Sequence, residues 1–244
     1  FVVTVFGALI MLVGFFGIWA QTGTFELTAM KGAQIPSWCV ILILFGILTK
    51  SATFPLHSWL PDAGVAPSPV TSLLHAAVLV KIGVYAYARL FVVSFSVDPI
   101  FTTVVPVIAA VSALVSAGCA MVATDLKRII AYSTISQLAF ILLGISVGSE
   151  TGLVGGMLYI LAHSVAKGGL FLCAGVLEHA LHTKDINQMG GLYKKFPLTA
   201  VAFALCSLSV MGVPPFSGYF AKFMVVRGAL DAGQTATGLE AVEN

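Results

Sequence analysis

Charge is what this chain has least of. Asp, Glu, Lys and Arg make up 9% of its 244 residues, where a soluble domain carries about 25%. Hydrophobic residues reach 59% and the mean hydropathy is +1.02. A water-exposed surface over the whole molecule is therefore excluded, and the chain reads as a polytopic membrane protein. There is no basic cluster and the net charge is +2, so nucleic-acid binding is excluded as well. Cysteine is sparse: Cys39, Cys119, Cys173 and Cys206 lie far apart with no CxxC pair, which argues against zinc, iron–sulfur and thiol redox chemistry. They read as small buried residues. No phosphate-binding glycine loop, GxGxxG turn, heme or flavin motif or catalytic triad is present, so no cofactor, no metal and no redox centre of the chain's own are expected. The chain opens on Phe1 inside an apolar run, without Met, a basic leader or a cleavage site. A truncated fragment is expected rather than a signal peptide.

What is present is a series of long apolar runs. At about 20 residues per crossing, some seven spans can be drawn: 1–20, 38–60, 69–93, 100–123, 129–147, 153–177 and 197–230. Residues 1–230 form one transmembrane domain in this reading, and 231–244 a polar tail. No period-2 alternation points to a barrel, so the spans are helices, the form that satisfies its own backbone in hydrocarbon. Lys127, Arg128, Lys184, Lys194 and Lys195 follow even-numbered spans, whereas Lys31, Arg89 and Arg227 belong to the other side. The positive-inside rule places the first set in the cytoplasm.

Against this background four lysines stand out. Lys50, Lys81, Lys167 and Lys222 each lie within or at the edge of an apolar run, and no Asp or Glu lies inside those runs. Each costs about 2.5–3.5 kcal/mol at membrane depth on insertion scales. A lysine so placed can snorkel to the interface. It can also shed its proton, since desolvation disfavours the charged form. Histidines accompany two of them. His75 precedes Lys81 by six residues, about 9 Å along an ideal helix and about 120° around it, so they join only through water. His163 and Lys167 are at i and i+4, with Tyr159 one turn earlier on the same face. A lone buried histidine is commonly a packing residue; the adjacent lysines favour a chain of titratable groups instead. Hydroxyls of Thr49, Ser51, Thr53, Thr71, Ser72, Ser164 and Ser217 are placed to order water along it. His57 reads as structural or interfacial. His179 and His182, beside Glu178, read as a solvated helix end rather than a metal set.

Two spans carry helix breakers. Pro55 leaves the Ser51 carbonyl without its helical donor, one residue beyond Lys50. The segment Gly212-Val213-Pro214-Pro215-Phe216-Ser217-Gly218 interrupts the last span and starts a second half-helix, placing Lys222 early in it. A proline kink is the plain alternative. Broken helices at membrane depth are tolerated where they are buried or line a cavity, and in transporters they mark the site.

The run from Lys50 through Pro55, Asp62 and His75 to Lys81 resembles the core signature of the antiporter-like subunits of respiratory complex I, of multisubunit sodium/proton antiporters and of membrane-bound hydrogenases. Three more blocks are similar to that family and follow its order: Ala123–Gln137, His163-Ser-Val-Ala-Lys167-Gly-Gly-Leu-Phe171, and Gly212–Lys222. The resemblance covers about residues 1–230. It implies an all-α bundle of about fourteen helices built from two inverted five-helix repeats, each with one broken helix, of which this chain holds the end of the first and most of the second. It also implies roles. Lys50 is similar to the lysine of the first half-channel, which in the family pairs with a glutamate on a preceding helix outside this chain. His75 and Lys81 resemble the linking residues, His163 and Lys167 the central pair, and Lys222 the terminal residue of the exit half-channel. Gly168 and Gly169 depart from the Ala-Leu that many members carry after the central lysine.

The function so implied is proton translocation by a non-redox subunit of a quinone-oxidoreductase-like or hydrogenase-like complex. Electrons would move in partner subunits. A multi-pass location in a prokaryotic inner membrane and other membrane subunits as partners follow from the same resemblance. Membership of a sodium/proton antiporter is the alternative, although no intramembrane carboxylate is at hand to bind sodium. A structural scaffold is the third reading.

Overall fold

The computed structural model of the protein describes residues 2–237. Helix α1 (Val2–Thr22) and helix α2 (Ser37–Lys50) pack side by side. Between them lies strand β1 (Ala33–Gln34). After α2 come a short helix α3 (Trp59–Asp62), helix α4 (Ser68–Ser72), a π-helical segment Leu73–Ala77, helix α5 (Lys81–Tyr87) and a second π segment Ala88–Ser94. Strand β2 (Phe95–Ser96) pairs in parallel with β1. Helices α6 (Ile100–Val122), α7 (Leu126–Ser146) and α8 (Glu150–Leu181) follow. A short helix α9 (Leu192–Lys195) leads into α10 (Pro197–Met211) and α11 (Ser217–Thr237).

Among the described residues, five helical stretches are long and apolar enough to cross a membrane: 2–22, 68–94, 100–122, 126–146 and 150–181. Helices α2 and α10 are apolar but shorter. Large apolar side chains such as Phe6, Phe16, Leu114, Met121, Val165 and Leu198 stand exposed on the helices, as lipid-facing surfaces require. The protein is an integral, multi-pass membrane protein. Residues 231–237, read as tail from sequence, continue α11. The rest of that expected tail, 238–244, and Phe1 lie outside the described residues.

The helix boundaries have local causes. Asp125 caps α7 by accepting from the Arg128 N–H at 3.0 Å, and Ser149 caps α8 by accepting from the Gly152 N–H at 3.1 Å. Such caps satisfy donors that a helix start leaves orphaned. Helix α10 ends where Gly212 turns left-handed, at φ 84°, a conformation that costs glycine little. The Val213 N–H then bonds the Leu208 carbonyl at 3.1 Å and the Gly212 N–H the Ser209 carbonyl at 3.2 Å. These are the two bonds of a Schellman ending.

The second span differs from the sequence reading. The helix stops at Lys50, well before Pro55. The reversal is made by Ala52, left-handed at φ 50°, with Thr53 N–H bonding the Leu48 carbonyl at 2.9 Å and Ala52 N–H the Thr49 carbonyl at 3.3 Å. This is the same ending as at Gly212, adopted by a residue with a Cβ. Pro55 thus follows the break and does not create it. The third span also departs from expectation. It is not one helix: Val78, at φ −124°, interrupts it between the π segment and α5, with no proline or glycine at the break.

The ends of the helices gather on two sides. The β1–β2 pair ties the connection after α1 to the one after the third span. At the other side Asp62, Asp125, Lys127, Arg128 and Lys184 line one pocket, and an isolated bridge joins Asp125 to Asp185.

Candidate functional site

The interior of the bundle carries buried polar groups around one helix, α8. Tyr159, His163 and Lys167 are each about 1% exposed. They follow one another at every fourth residue, so they stack along one face over about 12 Å. Lys81 and Lys222 approach this helix from two other elements.

Lys167 donates from Nζ to the Ile130 carbonyl of α7 at 3.1 Å. The same carbonyl accepts from Thr134 Oγ1 at 2.9 Å. Lys81 is buried and donates from Nζ to the Ala76 carbonyl and to Ser164 Oγ. Ser164 is the neighbour of His163 on α8, so Lys81 reaches the central pair from the interrupted third span. That interruption also revises the relation between His75 and Lys81. Ideal-helix spacing does not apply across it, because the π segment and the break at Val78–Val80 reorient α5. Lys81 turns back toward Ala76, the residue after His75.

Lys222 sits where α10 and α11 meet. The Schellman ending of α10 satisfies the Leu208 and Ser209 carbonyls and leaves those of Val210 and Met211. Lys222 Nζ donates to both, at 2.7 Å and 3.4 Å. A cation at a helix C-terminus is also favoured by the helix dipole. Gly218 permits this approach, because a side chain there would collide with the Ser209 carbonyl. The ammonium lies 5.8 Å from the Phe140 ring centroid and 5.6 Å from that of Tyr159, within cation–π range.

The two interior histidines are held by packing. His75 lies 4.9 Å from the Phe171 ring and His163 lies 6.0 Å from the Tyr159 ring, centroid to centroid. All four ring nitrogens are buried without a partner among the described residues. Buried polar atoms are paired in native proteins, with water where protein does not serve.

Lys50 is not joined to this group. It is half-buried at the end of α2, and among the described residues no carboxylate lies in ion-pair range of it. The neighbouring Ser51 hydroxyl is buried and unpartnered, and Trp59 Nε1 donates to the Thr49 carbonyl at 3.0 Å. Pro55, Pro214 and Pro215 are exposed on the helix breaks.

Some residues escaped the sequence reading. Gln137 of α7 accepts from the Tyr159 hydroxyl at 2.6 Å. Lys127, read as a loop charge, is only 5% exposed. It pairs with Glu178 at 2.6 Å, and Lys184 meets the same carboxylate at 3.1 Å. The C-terminal end of α8 is thus an ion-pair cluster rather than a merely solvated end, and it borders an open groove of about 970 Å³. No spacing in the sequence signals either contact, since Gln137 and Tyr159, and Lys127 and Glu178, meet only through the α7–α8 packing. No group of His, Cys, Asp and Glu suited to a metal occurs among the described residues.

Comparison with known proteins settles the family. The transmembrane family described as "NADH:quinone oxidoreductase/Mrp antiporter" matches residues 1–241. The chain belongs to this family. A curated relative from Paulinella chromatophora, NAD(P)H-quinone oxidoreductase subunit 5, is 36% identical over 247 residues, covering 93% of this chain and 36% of the relative. A putative antiporter subunit from Staphylococcus saprophyticus is 36% identical over 251 residues, covering 93% of this chain and 31% of that protein. The fold matches a chain of an Mrp complex from Dietzia sp. DQ12-45-1b with a TM-score of 0.90 and 33% identity, covering 98% of this chain and 46% of that one. The chain thus spans between about a third and a half of these proteins. Membership of this family accounts for the helical membrane fold.

Proposed function

We propose that this chain carries part of a proton path across the membrane, in a non-redox subunit of a quinone-oxidoreductase-like or hydrogenase-like complex. The observation that carries the reading is the set of lysines around α8, with Lys81 and Lys167 buried and Lys222 half-buried: Lys81 at Ser164, Lys167 at the Ile130 carbonyl, and Lys222 beside the Tyr159 ring. His75 and His163, with unpartnered ring nitrogens, add titratable groups between them. Water at those nitrogens links groups too far apart for direct transfer. Lys50 enters such a path from the first half-channel, with its carboxylate partner supplied from outside this chain. The helix breaks near Pro55 and at Pro214–Pro215 supply backbone carbonyls where a continuous helix has none to spare. Electrons move in other subunits, and the chain needs no cofactor. Other membrane subunits, lipid and protons are its partners, in a prokaryotic inner membrane with the Lys127–Glu178 side in the cytoplasm.

The test is Lys167→Ala in the full-length subunit. Proton pumping by the reconstituted complex is lost while the complex still assembles. Normal pumping by an assembled variant rejects the reading.

Sodium/proton exchange is the second reading, favoured by the fold match to an Mrp complex at a TM-score of 0.90. It uses the same lysines for the proton half of the exchange. Sodium-dependent collapse of a pH gradient in vesicles, without any redox substrate, separates the two.

A further inference from the structure

One side chain adjoins both the central and the terminal groups of the path. The Tyr159 ring has the His163 ring at 6.0 Å and the Lys222 ammonium at 5.6 Å, both measured to its centroid. Its position is fixed from several directions. Phe140 packs edge-on against it, at 6.2 Å and 82°. Its hydroxyl donates to Gln137 Oε1 at 2.6 Å and lies 3.4 Å from the Val210 carbonyl. Gln137 and Phe140 are three residues apart on α7, hence neighbours on one helical face. Together they hold the ring in place.

The orientation of the hydroxyl matters. The Val210 carbonyl can only accept, so the hydroxyl proton is committed to an acceptor, Gln137 or that carbonyl. A hydroxyl bound in this way hands no proton from His163 to Lys222, and the ring beneath it is apolar. We propose that Tyr159 is a plug between the central pair His163–Lys167 and the terminal Lys222, latched shut by Gln137. Swinging the ring aside breaks the Gln137 hydrogen bond and lets water connect His163 with Lys222. Gln137 is then a positioning residue that acts through Tyr159. The proposal rests on the proton-path reading, and its test is built to fail separately from it.

The full-length subunit in its assembled complex is reconstituted in proteoliposomes. Decay of an imposed pH gradient is followed without driving substrate, beside driven pumping. Tyr159→Ala removes the plug, and passive leak rises about ten-fold or more over the unmodified complex, as for a barrier lowered by one decade. Tyr159→Phe and Gln137→Leu keep the packing and remove the latch, and each raises the leak about five-fold, the factor for one lost hydrogen bond. The double variant leaks no more than either single one, because both remove the same bond. Adding Lys222→Leu to Tyr159→Ala returns the leak to its basal level.

A leak unchanged in Tyr159→Ala overturns the plug, as does a leak that survives Lys222→Leu and so runs elsewhere. Additive leaks in the double variant overturn the latch. If Lys167→Ala abolishes pumping while Tyr159→Ala does not leak, the path stands and only the plug falls. If Lys167→Ala pumps normally, the path itself falls.

Discussion

The lysines at the Glu178 end of the bundle and those in its interior are neutralised in different ways. Lys127 and Lys184 share the Glu178 carboxylate, and Arg128 meets Asp62 at 3.0 Å. Lys81, Lys167 and Lys222 meet carbonyl oxygens, one serine hydroxyl and aromatic faces. Among the described residues no carboxylate pairs with them. The difference has a chemical consequence. A carboxylate beside an ammonium favours its charged form, since loss of the proton leaves the anion without its partner. A carbonyl accepts from an ammonium and from a neutral amine alike, because both carry N–H donors. The interior lysines can therefore change charge without leaving a partner unsatisfied, and the outer ones cannot. In the proposed path the outer set anchors and the inner set transfers.

Three substitutions press on this contrast. The largest effect is expected at Lys127. Lys127→Ala removes the better-buried partner of Glu178 and destabilises the protein by about 1.5 kcal/mol, the scale of one hydrogen bond to a charged group, because Glu178 is 27% exposed and keeps Lys184. Detergent-denaturation midpoints of the full-length subunit measure it, and surviving complexes still pump. A stable variant that no longer pumps would place Lys127 with the inner set. The next is Ser164→Asp, which gives Lys81 the carboxylate it lacks. Driven pumping falls about ten-fold or more, as one added opposite charge at this range fixes the protonated state, while assembly is retained. Pumping at the full rate would show that Lys81 never changes charge. The smallest is Arg128→Ala. Both members of its pair with Asp62 are exposed, at 55% and 71%, so stability shifts by less than about 0.5 kcal/mol and transport is unchanged. A larger loss would make that pair part of the Glu178 cluster.

The parts of the fold legible in the sequence are those with local causes. The helix expected over 100–123 runs over Ile100–Val122, because a long apolar run with a polar stop leaves a helix no alternative in lipid. The double-proline segment ends α10 and restarts α11, as glycine and proline dictate. The second span departs from its sequence pattern because the strongest signal there, Pro55, is not what ends the helix; Ala52 does so by a left-handed turn that an alanine seldom takes. The break at Val78 has no signal at all. Just beyond it Lys81 is tied to Ser164 of another helix, a contact that no nearby residue announces.

By itself the sequence determined that the chain lies in a membrane, that its spans are helices, and that lysines and histidines sit inside them. Those follow from hydropathy and spacing, which are properties of neighbouring residues. Tertiary structure alone decided what faces each lysine. Carbonyls freed at the end of α10, the Gln137 acceptor for Tyr159 and the Glu178 partner of Lys127 are met by side chains of another helix. Charge compensation in a low-dielectric interior acts over a few ångströms of space, and only packing sets which groups come that close.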